Sequence, residues 1–503
     1  MNESMSSTIF PTPVRIFTAA LAMWLVGSAA RGDATNQTKS LTLRECIERT
    51  LENNLEIKSQ RINPTIGTWG VIGAQGVYDP VLAGSVNYQN SRTPQDPGFP
   101  TVKEQTLSPN LDLSGKLPSG TTYDFSANDT RSSGNLVTNF TFLYTGQAGV
   151  SATQPLLKNF GFGVNAATIR IARENKTIAV QNFVQFVMSK ISAVSTAYYE
   201  LIFSIENHKT AVENRELAQE LLDQNRKREQ VGTMSPLDVI QAEAGVAESE
   251  QNVILTARTI KDNENTLKRL ICQQVTEFRG VSLVPVDQPM VQMVALDVGE
   301  STRTALQMRA DYLSALHTLE SQNISVQFNR NQLWPQVDLT GSYAFNGRGH
   351  SFDDFNDNLA SRDSPVWGVG VVASFPLGNR QARSTYHISK LDADQALLNL
   401  KSLEQDIVVQ VDNAVGHVEA NLKSVEAARA ATRLAQESLE AEKKKLLAGT
   451  STTFLVLQAQ TQLATARSAE SRAEADYGES LVALDLAQGT ILQKNNIVLD
   501  ERY

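Results

Sequence analysis

The chain has 503 residues, 41% of them hydrophobic and 20% charged, with a formal net charge of −9, a balance that reads as folded rather than disordered. The mild acidity and the lack of any long basic tract argue against a nucleic-acid partner. Beyond residue 30 no apolar run reaches the roughly 18 residues of a membrane-spanning helix, although the alternating strands of a β-barrel would escape that scan.

Residues 1–30 read as a secretory leader. Arg15 gives a thin positive flank, Ile16 to Gly27 form an apolar run of 12 residues, and Ser28-Ala29-Ala30 offer small residues for cleavage, so the mature chain is predicted to begin after Ala30 or within a few residues of it. No cysteine lies there for lipid anchoring. The two cysteines of the chain, Cys46 and Cys272, are expected to be unpaired, partly buried thiols.

The rest of the chain follows one plan twice. Leading helices are predicted in 31–80 and again in 299–335. Leu41, Glu45 and Leu51 match Leu296, Glu300 and Leu306 at a constant offset of 255, with Thr42 and Asp297 as candidate N-caps. Pro80 and Pro335, at the same offset, stop the helices, because proline lacks the N–H and restricts its predecessor. Alternation then signals strands: Leu82, Gly84, Val86, Tyr88 in one copy and Val337, Leu339, Gly341, Tyr343 in the other. The hairpin regions, 81–154 and 336–375, run to Pro155 and Pro376. That proline offset is 221, so the first region is longer by 34 residues (255 − 221). The excess holds a further hairpin around Lys116-Leu-Pro-Ser-Gly120, expected to extend or decorate the wall without adding spanning strands.

Helical spacing follows each second proline. Phe183, Val187, Ile191, Val194, Tyr198, Leu201 and Ile205 recur every three or four residues, as do Leu403, Ile407, Val411, Val415, Val418, Leu422 and Val425. Each run has room for about 65 helical residues, roughly 100 Å. Each meets a glycine, Gly232 or Gly449, suited to a left-handed turn, and a second helix returns. The long helical hairpins are thus 155–272, with its tip at about 232, and 376–489, with its tip at about 449. An equatorial linker, 273–298, joins the halves, and 490–503 is a tail.

This order resembles the TolC-like outer-membrane efflux family. The residues that carry the resemblance are the Pro-led strands at Pro80 and Pro335, Gln154-Pro155-Leu156 and Phe375-Pro376-Leu377, and the tips Val231-Gly232-Thr233 and Ala448-Gly449-Thr450. The most specific piece is Ser235-Pro236-Leu237-Asp238-Val239 running into Gln241-Ala242-Glu243. The resemblance implies a mixed α and β fold, with a transmembrane β-barrel of about four strands per protomer continued by a long periplasmic α-helical barrel. Four strands cannot close a barrel, and open edges cannot face lipid, which gives an independent reason for a homotrimer of roughly twelve strands. It also implies partners: a periplasmic adaptor at the tips (Gly232, Thr233, Gly449, Thr450), an inner-membrane pump, and outer-membrane lipid. The function implied is the exit duct of a tripartite efflux or type I secretion system. The alternatives are a periplasmic coiled-coil adaptor, which needs one helical hairpin and not two, and a structural envelope protein, which needs no Pro-bounded strands.

Family members narrow the tunnel entrance with aspartate rings. The matching positions are Asp238, which is retained, and Leu455 and Gln458, which are not acidic; the three are the gate candidates. Asp238 also reads as a first-turn carboxylate stabilising its own helix. Leu455 reads equally as coiled-coil core. No enzyme or cofactor is expected. The histidines at 208, 317, 350, 387 and 417 lack metal-ligand spacing, Gly161-Phe-Gly163 lacks the remainder of a phosphate loop, and Asp353, Asp354, Asp357 and Asp363 miss the calcium-loop pattern.

Overall fold

Each leading segment begins with a helix that its own side chains start. Thr42 accepts from the Glu45 amide at 3.2 Å while the Glu45 carboxylate accepts from the Thr42 amide at 3.1 Å, a reciprocal cap. Asp297 accepts from Gly299 N at 2.7 Å in the second copy. The computed structural model describes residues 37–98, 101–134, 142–287, 291 and 296–499, and the expected leader, 1–30, lies outside them.

In chain order, strand β1 (Gln37–Leu41) leads into helices α1 (Leu43–Asn53), α2 (Leu55–Gln60) and α3 (Ile62–Gln75). Four strands follow: β2 (Val81–Thr93), β3 (Val102–Lys116), β4 (Thr122–Gly134) and β5 (Leu143–Pro155). A short helix α4 (Phe162–Asn165) precedes the long α5 (Ala167–Gln230) and its return α6 (Pro236–Ile271). The second half comprises β6 (Val281–Pro285), α7 (Val298–Met308), α8 (Ala310–Asn331), β7 (Gln336–Gly349), α9 (Phe352–Ser361), β8 (Pro365–Ser374), α10 (Arg380–Leu447), α11 (Thr453–Gln488) and α12 (Ile491–Lys494).

The large sheet corrects the strand count. It has six strands in the order β2-β3-β4-β5-β7-β8, every neighbouring pair antiparallel. The hairpin around Lys116–Gly120 is therefore not decoration. Its strands β3 and β4 carry the ladder from β2 to β5, and at 15 and 13 residues they match their neighbours. The expectation of four strands failed because the apolar signal in this stretch is thin: Leu111, Leu113 and Phe125 alternate with Ser, Asn and Asp. Three further elements were not foreseen. Helix α9 fills the loop between β7 and β8, and β1 pairs in parallel with β6 inside what read as a linker.

Helices α5 and α10 have 64 and 68 residues, roughly 95–100 Å at 1.5 Å per residue. Near the sheet, α3 packs on α5, and α8 lies between α5 and α10; farther away α6 and α11 take over as the packing partners. At either level the chain therefore presents four helices. The seams are apolar: Val187, Ile191, Val194 and Leu201 on α5 and Ile407, Val411 and Val425 on α10 are essentially inaccessible. Burying each such side chain contributes on the order of 1.5–3 kcal/mol.

A polar knot holds the equator. Asp287 accepts from the Leu43 amide at 2.7 Å and from the Tyr198 hydroxyl at 3.0 Å, tying α1 to α5 beside the β1–β6 pair. Cys46 and Cys272 lie buried in the same core, and burial pushes the Cys46 thiol up to about 12. Among the described residues no helix is long and apolar enough to cross a membrane.

Candidate functional site

The two faces of the large sheet differ in chemistry. Register places Leu82 on Leu113, Leu113 on Phe125, Phe125 on Val150, Val150 on Tyr343 and Tyr343 on Trp367, one apolar row across all six strands. The adjacent row runs through Leu111, Ala127, Ala148 and Phe345. Leu82, Phe125, Tyr343 and Trp367 are exposed. The opposite face carries Asn110, Asp112, Asp124, Ser126, Asn128, Ser151 and Ser342 in register. Strands of 10–15 residues with one apolar and one polar face have the length and pattern of a barrel wall in lipid.

The boundary prolines mark where strand gives way to other backbone. Pro80 and Pro335 immediately precede β2 and β7, Pro155 is the last residue of β5, and Pro376 follows β8. Asparagines supply the hydrogen bonds at this junction. Asn331 accepts from Asn159 N at 2.7 Å and donates to Leu157 O at 3.2 Å; Asn379 donates to Leu333 O at 3.2 Å. Asn159 and Asn379 both hold positive φ, which asparagine tolerates better than most residues.

At the far end, both helical hairpins turn in the same way. Gly232 has φ +75° and Gly449 φ +72°, with open space where a Cβ would stand. Thr233 N donates to Arg228 O and Thr450 N to Lys445 O, both at 2.9 Å, closing matched left-handed caps. The returning helices start on Ser235, which accepts from Leu237 N at 3.2 Å with Pro236 in the first turn, and on Thr452, which accepts from Leu455 N at 3.4 Å.

Asp238 sits half-buried in the first turn of α6, and its carbonyl accepts from the Asn225 side chain at 3.3 Å. Leu455 and Gln458 are exposed on α11, off the buried stripe of Thr453, Val456, Ala459 and Leu463. Gln458 lines a groove with Phe454, Gln241 and Gly245, between α11 and α6. The structure thus brings both tips to one end and leaves Leu455 outside the core of its own chain.

Sequence reasoning missed the link that joins the two tips. Asn225, fully buried on α5, also donates to the buried Thr453 hydroxyl at 3.0 Å. The available signal was a polar residue continuing the apolar run of Ala218, Leu221 and Leu222, the kind of core polar group that fixes register. It also missed the ion network midway along the helices. Arg472 on α11 bonds Glu200 on α5 at 2.8 Å, pairs with Asp476, stands 3.5 Å from Glu479, and lies 5.0 Å over the Phe203 ring.

Within that network burial pushes the Glu479 carboxyl up to about 7, with Glu200 and Asp476 adding to the rise and Arg472 opposing it. One Glu479 oxygen is buried without a hydrogen-bond partner. A raised folded-state value means that the contribution to stability is complete below the unfolded carboxylate range. It is lost as pH climbs from there through about 7. Glu479→Gln, which imitates the protonated form, is therefore expected to raise the melting temperature at pH 8 and leave it unchanged near pH 4. Equal shifts at both pH values in thermal melts would refute the assignment.

No group of three or more potential metal ligands occurs among the described residues. Asp353, Asp354 and Asp357 lie exposed on α9.

The sequence model described as "Outer membrane efflux protein" matches residues 109–273 and 302–490. The outer membrane efflux protein BepC of Brucella suis is 23% identical over 476 residues, 93% of this chain and 89% of its own. The outer membrane protein TolC of Vibrio cholerae is 23% identical over 317 residues, 61% of this chain and 68% of its own. Among solved structures, the outer-membrane channel OprN superposes with a TM-score of 0.69 at 18% identity, covering 93% of this chain and 97% of that one. The CmeC outer membrane channel of Campylobacter jejuni gives 0.66 at 18% identity, covering 91% and 90%.

Proposed function

The chain belongs to the outer membrane efflux protein family, and from that premise we propose that three copies form the exit duct of a tripartite assembly, receiving cargo at their tips from an adaptor and an inner-membrane pump. As a family member it is a non-enzymatic efflux channel of the outer membrane with a periplasmic helical extension. The observation that carries the proposal is the continuity of one chain. A sheet with a lipid-compatible apolar face passes directly into helices of roughly 100 Å, which reach far across the periplasm.

The sheet edges support ring closure between copies. Among the described residues β2 and β8 are unpaired on their outer sides, and an open edge cannot stand in lipid. Because the sheet has an even number of strands, six in all and each antiparallel to its neighbours, β2 and β8 run in opposite directions. β8 of one copy can therefore pair antiparallel with β2 of the next, and repetition closes a ring. A lone adaptor or an envelope filament would have no use for such a sheet.

The tips are the proposed adaptor contacts. Their glycines meet nothing, so a substitution there acts through the backbone turn and the surface offered to a partner. The double variant Gly232→Val, Gly449→Val is expected to cut export at least tenfold while trimers persist in the outer membrane, since β-branched residues resist positive φ. The matching asparagine variant, which tolerates that conformation, is expected to retain export. Normal export by a well-expressed valine variant would remove the tips as contact sites.

A further inference from the structure

Resting on the trimer proposed above, we infer that the inserted β3–β4 hairpin widens the exit to an eighteen-stranded barrel whose bore matches the helical tunnel beneath it and admits bulky hydrophilic solutes. The first argument is register. β3 and β4 sit inside the ladder, between β2 and β5. They keep its faces, with Leu111, Leu113, Phe125 and Ala127 on the apolar side and Asn110, Asp112, Asp124, Ser126 and Asn128 on the polar one. A hairpin folded into the lumen, or lying above the membrane, would not need an apolar face aligned with that of its neighbours.

The second argument is anchorage. The turn at the periplasmic end of this hairpin is built into the barrel–tunnel junction. Gly161 N donates to Ser119 O at 3.2 Å, and Gly120, at φ +96°, lies so close to Asn159 O that an added Cβ would stand 2.5 Å from it. The inserted strands therefore run from the tunnel's rim like the others.

The third argument is perimeter. Strands about 4.8 Å apart, tilted by roughly 40°, each occupy about 6.3 Å of circumference, so six span about 38 Å and four only about 25 Å. Four helices packed at 8–10 Å span about 32–40 Å. Six strands per copy thus match the four helices that each copy presents at the junction, and four would force a taper. At equal tilt, eighteen strands give a backbone diameter of about 36 Å against about 24 Å for twelve.

The test compares the full chain with a variant lacking residues 102–134, in which β2 and β5 can pair directly. Both carry Ser151→Cys on the polar face of β5, and the native Cys46 and Cys272 are buried. Maleimide-coupled polyethylene glycols of graded mass are applied outside intact cells, and the native mass of the extracted assembly is measured. The full chain is expected to label with polymers at least about twofold heavier, since coil size grows roughly as the square root of mass. Equal cut-offs in two trimers would overturn the inference and leave the trimer standing; a native mass other than three copies would overturn the trimer itself. Should the deletion variant fail to assemble, full chains carrying Leu111→Cys or Asp112→Cys decide. Aqueous maleimide is expected to label only position 112, and equal labelling of both would sink the inference.

Discussion

Ala148→Arg is expected to abolish trimers in the outer membrane, whereas Gln147→Arg, one residue away, is expected to leave them intact. The two positions differ only in face. Ala148 lies in the apolar row between Ala127 and Phe345, near the middle of β5, while Gln147 lies in the polar row between Asn128 and Asn346. An arginine at the lipid-facing midplane costs roughly 2–4 kcal/mol per copy, so about 6–12 kcal/mol for three. That is comparable to the whole stability of many proteins. On the polar face the guanidinium meets water and the Asn128 and Asn346 amides. The measurement is the amount of heat-modifiable trimer in outer-membrane fractions, with a drop of more than tenfold expected for Ala148→Arg. Normal assembly of Ala148→Arg together with loss of Gln147→Arg would invert the faces.

The same face logic shows where the sequence was legible. The helical seams were, because Val187, Ile191, Ile407 and Val411 are large, apolar and strictly spaced, and nothing else satisfies that spacing at such length. The tips were legible because a turn at positive φ favours glycine, and Gly232 and Gly449 stand at matched places after the long helical runs. The β3–β4 hairpin was under-read because a wall strand between lipid and lumen needs only a few apolar residues on one side. Ser108, Asn110, Asp112 and Ser114 on the other side look like loop composition when taken alone. Pairing with β2 and β5, a long-range fact, is what turns them into strands. The α5–α11 contacts were equally invisible. Glu200 and Arg472, or Asn225 and Thr453, are more than two hundred residues apart in sequence, and the halves had been read as repeats without a rule for how they dock.

The gate is where local pattern reached furthest and packing now adds a constraint. Leu455 had two readings, core or constriction. On α11 the core stripe is Thr453, Val456, Ala459 and Leu463, and Leu455 stands 42% exposed beside it, so its own chain leaves the side chain uncovered. In a ring of three, inward-leaning tips would bring three copies of Leu455 toward the axis, where an apolar constriction resists wetting and blocks ions without a plug. Gln458, one turn further along the same side, is neutral, which leaves Asp238 as the acidic contributor among the three candidates. Its place in the first turn of α6 stabilises that helix by about 0.3–1 kcal/mol, too little for its removal to dissolve the tip. Leu455→Ser is therefore expected to raise closed-state conductance several-fold in single-channel recordings while the trimer remains heat-stable. Asp238→Asn is expected to lower cation preference with little change in conductance. Because Asn225 holds the Asp238 carbonyl and the Thr453 hydroxyl and not the Asp238 carboxylate, the asparagine variant keeps the tip link, and a loss of selectivity can be assigned to charge. Unchanged closed-state conductance for Leu455→Ser in an intact trimer would place that side chain against the neighbouring protomer, and the constriction would then have to be sought among the residues lining the α6–α11 groove, Phe454 first.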